Sequence, residues 1–303
     1  MRRKIYSFII FTAIILGLIN SSIVITGVKD GITLWYRALI PALMPYMLVG
    51  NLVIAKGYYD SFNFIGKILC KIYSIPAAAS FALISGLLFG YPTCAVFAEE
   101  LHRRGKLPKK CSEYLICAFN NISPGFVAGY FCIGILQNDR IAAKILLLYY
   151  FIILTCAFII RKTIYKGKFD DVTGNEKKIP EEKDSMVIRK TVLALANVGT
   201  VVVIFSIICN FIVCFLPGNI TVMTVFFEIT CGLRNIADAF SGKILMLISV
   251  PAICFGGMSG VIQTFLAAGK GLIDIKKYIY CKFVTIIIAV IMTYLTVYVF
   301  KIV

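Results

Sequence analysis

The sequence is poor in the groups that do chemistry in soluble enzymes. It holds one histidine, His102, inside the polar run "HRRGKLPKK" at 102–110. No HExxH, GxSxG or P-loop signature occurs, so zinc-protease, serine-hydrolase and P-loop chemistry lack their working groups and no catalytic residue is assigned. Eleven cysteines are scattered, mostly through apolar stretches, with no CxxC pair. That excludes the usual zinc and redox spacings, and most of the cysteines read as packing residues. No metal site and no cofactor is expected. The short alternating segments of a membrane β-barrel are absent too. Acids are scarce, 15 against 31 lysines and arginines, for a net charge of +16. This excess does not indicate nucleic acid. The bases cluster in short hydrophilic stretches between apolar runs, as cytoplasmic loops do.

Hydrophobic residues are what the chain has in plenty: 60% of the total, with a mean hydropathy of +0.90. Apolar runs lie near 5–25, 33–55, 76–101, 112–136, 141–160, 191–216, 220–233, 244–269 and 278–300. A bilayer core of roughly 30 Å needs about 20 residues of helix. The fold class is therefore all-α, a polytopic integral membrane protein whose first partner is the lipid bilayer. The basic leader Arg2-Arg3-Lys4 precedes an apolar run without a clear cleavage site, which predicts a retained first helix over 1–30. The long polar stretch at 161–190 cannot bury a core and is expected to be a cytoplasmic linker. It divides a first repeat, 31–160, from a second, 191–303.

One apolar run is broken. In "FGYPTCAVFAEELHRRGKL" (89–107), Gly90-Tyr91-Pro92 interrupts the helix. Pro92 has no N–H, biases Tyr91 out of helical geometry, and follows a glycine that permits a tight reversal. Broken backbone at membrane depth survives only inside protein or beside a wet cavity. The basic stretches on both sides of 76–101 want the same face, so this segment is expected to enter, turn and leave where it entered. Set beneath it, "FGGMSGVIQTFLAAGKGLI" (255–273) repeats the pattern weakly. Counting crossings, a second hairpin near 244–269 then enters from the opposite face. The two halves become inverted repeats, a common transporter plan with the solute site at the paired breaks. This puts 102–110 and 270–277 on opposite faces, against the charge preference of Lys270, Lys276 and Lys277.

The expected solute-binding residues follow from the breaks. Gly90, Tyr91, Pro92 and Thr93 form the first, and Gly256, Gly257 and Ser259 the second, with Gln263 on the following arm. Half-helix N-termini at these points carry partial positive charge and suit an anionic or hydrogen-bonding solute. Asn120 and Asn121, followed by a Ser123-Pro124-Gly125 break, put buried amides in an apolar helix and are read as ligands, with interhelical glue as the alternative. Glu228 in "VMTVFFEITCGL" is the candidate for ion coupling, since an acid at membrane depth is a functional candidate by default.

At "GYPTCA...L...GKL...NNISPGF" and "FGGMSGVIQ" the sequence resembles sporulation integral membrane proteins of the YlbJ type, within the wider nucleoside-recognition, or Gate domain, group. The resemblance covers roughly 35–135 and 190–300. It implies two Gate-like repeats, each with a broken or re-entrant helix, in a multi-pass protein of a bacterial cell membrane or a forespore membrane. It also implies a transporter of a small polar or anionic solute, with dipicolinate as one candidate. A non-transporting scaffold or regulator of sporulation and a nucleoside-type carrier are the alternatives. Thr93-Cys94 and Ser123 stand where family members often have glycine. The partners expected are a small-molecule solute and lipid, with no nucleic acid. A homo-oligomer is left open.

Overall fold

A computed structural model describes residues 2–169, 183–216, 218 and 222–299. The centre of the 161–190 linker and the side chains of Arg2, Arg3 and Lys4 lie outside the described residues. Among the described residues every regular element is helical, and five helices are long and apolar enough to cross a bilayer. In chain order the main helices are α1 (Arg2–Ile19), α2 (Ser21–Ala55), α3 (Asn63–Tyr73), α4 (Ser80–Phe89), α5 (Thr93–Arg103), α6 (Lys109–Phe119) and α7 (Phe126–Ile135). There follow α8 (Ala142–Thr163), α9 (Asp184–Phe215), α10 (Thr224–Phe227), α11 (Ile229–Ala239), α12 (Gly242–Phe255), α13 (Gly257–Ala267) and α14 (Ile275–Tyr294). Apolar side chains such as Leu147, Phe151, Ile204, Phe283 and Ile287 stay exposed, as lipid-facing positions must.

The longest packing seam joins α2 to α9. Gly27 faces Ile207, Gly31 faces Val203, and the Trp35 indole lies on Gly199 and donates to Leu195 O at 2.9 Å. Further on, Asn51 Nδ2 donates to Thr191 Oγ1 at 3.0 Å, and Lys56 pairs with Asp184 at 3.5 Å. One index rises as the other falls, so the helices are antiparallel along their whole length. A Cβ on Gly31 would sit 2.7 Å from Val203 Cα, and one on Gly27 2.6 Å from Ile207 Cα. Glycines spaced four apart let two backbones approach where no hydrophobic effect drives helices together in lipid. The expected division between 5–25 and 33–55 is thus displaced: the chain breaks at Asn20, and 21–55 runs on as one span.

We call the end carrying Thr163 and Asp184 the linker end. There Arg161, buried within α8, donates to the carbonyls of Tyr73, Ser74, Tyr165 and Gly167 and ties the end of α3 to the end of α8. The segments 58–73 and 77–89 meet at 111°. α3 therefore lies across the bundle, with Phe64, Ile65 and Ile68 exposed and Gly66 and Cys70 turned inward.

The break at 90–92 is a true reversal. The Thr93 hydroxyl donates to Gly90 O at 2.6 Å and lies 3.1 Å from Ser85 O. Eight residues of continuous helix would separate those positions by about 12 Å. At φ 79° and ψ −172° Gly90 leaves the helical path altogether. α5 then returns to the linker end, where Glu100 pairs with Arg103 at 2.7 Å, Arg104 at 2.9 Å and Lys190 at 3.6 Å.

The second expected hairpin is not at 244–269. α12 and α13 continue as one 26-residue span from 242 to 267. Gly256, at φ 84° and ψ 6°, and Gly257, at φ 73°, make a two-residue left-handed step, with Gly256 N–H still bonded to Ala252 O at 2.9 Å, and the helix resumes. The far-end reversal lies earlier, between α10 and α11. Asn235 Nδ2 donates to Thr224 Oγ1 at 2.9 Å across eleven residues, and Gly232 packs on the backbone of Val225. The turn centres on Glu228.

This also corrects the expected sidedness. Asp274 N donates to Glu113 Oε1 at 3.0 Å, Lys277 Nζ lies 3.5 Å from Glu113 Oε2, and Gly269 packs on the Glu99 side chain. The turns at 102–110 and 270–277 share the linker end. The lysines that opposed the inverted hairpin now lie with the other bases.

Two predictions follow from the packing. With exposed Cys214 replaced by serine, Lys109→Cys and Lys276→Cys should react with a membrane-impermeant maleimide from the same face of sealed vesicles. Labelling from opposite faces would contradict the fold. Gly31→Leu should lower stability by at least the ~1–3 kcal/mol typical of overpacking. Gly129→Ala, with nothing within 4 Å of its Cβ position, should leave the detergent-solubilised melting temperature unchanged.

Candidate functional site

The helical backbone is interrupted at four places near mid-bundle, and the four touch. Tyr91 N donates to Asn121 O at 2.7 Å, joining the first hairpin to the break between α6 and α7. The Tyr91 hydroxyl donates to Gly256 O at 3.2 Å, joining it to the break between α12 and α13. A Cβ on Gly257 would lie 3.3 Å from Ile229 N and Phe227 O, so that break meets the tip of the second hairpin. Tyr130 OH donates to Thr230 O at 2.9 Å and closes the ring from α7.

A cavity of about 520 Å³ opens at this junction. Its walls include Tyr46, Tyr91, Ser123, Tyr130, Glu228, Thr230 and Gln263. Two more cavities adjoin it. One of about 300 Å³ opens toward the linker end and takes Pro92, Glu100, Arg103, Lys190 and again Gln263. Another, of about 440 Å³, opens toward the far end and takes Asp30, Arg37, Arg234 and again Tyr130, Glu228 and Thr230. α9 lines all three, from Lys190 through Val202 to Val213. That stretch is roughly 35 Å of helix, enough to traverse a hydrocarbon core.

The expected site residues divide into two groups. Tyr91, Ser123, Gln263 and Glu228 line the central cavity, and Pro92 lines the linker-end one. Thr93, Asn120, Asn121, Gly256, Gly257 and Ser259 are buried outside those walls. Gly90 is buried too and packs on the Ser123 backbone. Asn120 and Asn121 hold the breaks together. Asn120 Nδ2 donates to Thr264 Oγ1 at 2.7 Å, and its Oδ1 accepts from Ala95 N at 3.4 Å at the start of α5. Asn121 Nδ2 donates back to Ala118 O at 2.8 Å. The Ser259 hydroxyl is buried with no hydrogen-bond partner among the described residues.

The half-helix tips are also occupied by the chain itself. Glu228 caps α11, accepting from Cys231 N at 2.9 Å and from the Thr230 hydroxyl. Ser123 Oγ accepts from Phe126 N at 3.2 Å at the start of α7. Among the described residues no lysine, arginine or histidine lines the central cavity, and Glu228 is the one acid in its wall.

Sequence reasoning missed Lys282. It sits on α14, 2% exposed, and donates to Asn121 Oδ1 at 2.9 Å and Asn120 O at 3.4 Å. The signal was there: a lysine in the apolar run "YCKFVTIIIAV" (280–290). Tyr149, whose hydroxyl donates to Ile122 O at 2.6 Å, had no signal, because tyrosine is ordinary in membrane helices.

With this geometry in hand, the chain can be compared with known proteins. It is similar to the sporulation integral membrane protein YlbJ of Bacillus subtilis (strain 168), with 26% identity over 114 residues. The match spans 36% of this chain and 27% of the relative's length. No family model matches the chain, and no solved structure matches it significantly. The spanning helices and this likeness together describe a membrane protein related to a sporulation integral membrane protein.

Asn120→Ala would leave Ala95 N without its side-chain acceptor and Thr264 without its amide donor. A buried group left unpaired costs about 1–3 kcal/mol. The melting temperature in detergent should fall accordingly, with or without any solute. An unchanged melting temperature would show that Asn120 does not bind the breaks together.

Proposed function

We propose that this chain is a solute transporter of the bacterial cell membrane, built from two inverted Gate-like repeats. One observation carries the reading: three backbone interruptions line a single cavity and the fourth, at Gly256 and Gly257, packs against two of them, with further cavities continuing from it toward both ends along α9. Irregular backbone at membrane depth marks binding sites in transporters, and paired interrupted segments meeting near the midplane are their usual plan. The order of elements supports the repeat. A span, a hairpin, a broken span and a second span occur as α2, α4–α5, α6–α7 and α8. They recur as α9, α10–α11, α12–α13 and α14, with the second hairpin entering from the opposite end. α2 packs on α9, and α6 on α14. The linker end is cytoplasmic on the charge rule.

The solute is small and polar. A dianion such as dipicolinate would meet the Glu228 carboxylate in a cavity whose lining carries no base, so a solute with hydrogen-bond donors and no net negative charge suits the site better. Glu228 is the ion-coupling group of this reading, since it faces both the central and the far-end cavity.

Purified protein in liposomes should accumulate one or more members of a panel of labelled nucleosides, amino acids and dicarboxylates. Gln263→Trp, which fills the wall between two cavities, should cut that flux at least about tenfold, ~1.4 kcal/mol or more, in protein that still unfolds cooperatively in detergent. Failure to move any of the panel, together with no reaction of Gln263→Cys with an aqueous thiol reagent, would favour a non-transporting scaffold.

A further inference from the structure

The break between α6 and α7 can be accounted for oxygen by oxygen. Inside a membrane each freed carbonyl needs a partner from the protein. Ala118 O takes the Asn121 amide, and Phe119 O takes Asn121 N at 3.0 Å. Asn121 O takes Tyr91 N at 2.7 Å, and Ile122 O takes the Tyr149 hydroxyl at 2.6 Å. Ser123 O takes Phe126 N at 3.1 Å. Asn120 O and Asn121 Oδ1 take no donor from the breaks themselves. Both face Lys282 Nζ, at 3.4 and 2.9 Å.

This place has the character of a cation site. It lies just past the C-terminus of α6, the negative end of a half-helix. Its free donors are a backbone carbonyl and an amide oxygen, hard neutral ligands that suit an alkali cation. The Tyr278 ring faces the ammonium at 5.6 Å. No carboxylate pairs with Lys282 among the described residues, and the thiols of Cys117, Cys156, Cys254 and Cys281 lie around it beside Tyr278. An ammonium without a carboxylate, held by a helix end and two oxygens, occupies the place of an ion and not of an ion pair.

We propose that this break is a monovalent-cation site whose resident cation is the chain's own Lys282 ammonium. The ion that would brace unwound backbone here is covalently tethered and cannot exchange. It follows, on the transporter reading above, that no free sodium binds at this break and none is drawn through it. The structural claim does not need that reading, and it is tested without solute.

The experiment is thermal unfolding in detergent, in sodium, lithium, potassium and choline chloride at equal ionic strength. Wild-type protein should melt at the same temperature in all four. Lys282→Ala, which empties the site, should melt about 5–10 °C lower in choline and regain half or more of that loss in sodium. Lys282→Met fills most of the volume without charge, and it should lose stability in every salt with no recovery in sodium. If Lys282→Ala does not accumulate in membranes, the wild-type and methionine proteins decide the question. A sodium-specific rise for wild type, a methionine variant as stable as wild type, or equal melting of Lys282→Ala in sodium and choline would each overturn the proposal. Loss of transport alone, with this pattern intact, would count against the transporter reading and leave the site standing.

Discussion

The structure depends on one constraint: where a helix is interrupted inside a bilayer, its freed N–H and C=O groups have no water to turn to. The cost of leaving such a group unpaired in hydrocarbon is several kcal/mol each. This chain meets that constraint by letting each interruption supply the partners of another. Tyr91 gives its N–H to one broken span and its hydroxyl to the other. Asn120 gives its amide to α13 and its oxygen to α5. Glu228 caps its own half-helix. Bonds within a break and bonds between breaks together hold the four in contact, and the central cavity opens where three of them meet.

The sequence made the first break legible because its residues limit the backbone in two independent ways. Proline removes a donor, and the glycine before it opens angles barred to other residues. The second hairpin was not legible, because nothing in "FFEIT" (226–230) is a turn-former. Glu228 reads as an acid at membrane depth, whereas its fold-level role is that of a side-chain cap, which requires its carboxylate to curl back on Cys231 N. The glycines at 256–257 misled for the opposite reason. A left-handed residue records that the helix steps out of register. It does not record whether the chain turns back, since that depends on the residues it packs against. Gly90 combines its positive φ with an extended ψ of −172°, whereas Gly256 has a ψ of 6°. Charge was the better witness: Lys270, Lys276 and Lys277 argued for the linker end against the repeat drawn from the glycines.

The site was legible in type more than in role. Of the polar residues expected in apolar helices, Ser123, Glu228 and Gln263 line the central cavity, while Asn120 and Asn121 are buried behind it. Whether a buried amide faces a solute or another helix is decided by its rotamer and by what lies across from it. Neither is encoded within a few residues. Thr264 is 144 positions from Asn120, and Lys282 is 161 from Asn121. The Gly27-x-x-x-Gly31 pair is the converse case. Its spacing suits close packing but was not singled out from the sequence, and its partner surface on α9 is visible only in the folded chain.

The linkage of the breaks also bears on how such a site would open. A hairpin bonded to one neighbour could tilt alone. Here Tyr91 bridges both broken spans, so any displacement of the first hairpin strains the α6–α7 break and the α12–α13 break together. The second hairpin is held to the same spans through Tyr130 and Gly257. A rearrangement that wets the linker-end cavity must therefore shift the ring as a whole, and Gln263, which borders that cavity and the central one, must move with it. On the transporter reading, access from the two ends is coupled because the same few hydrogen bonds satisfy all four interruptions.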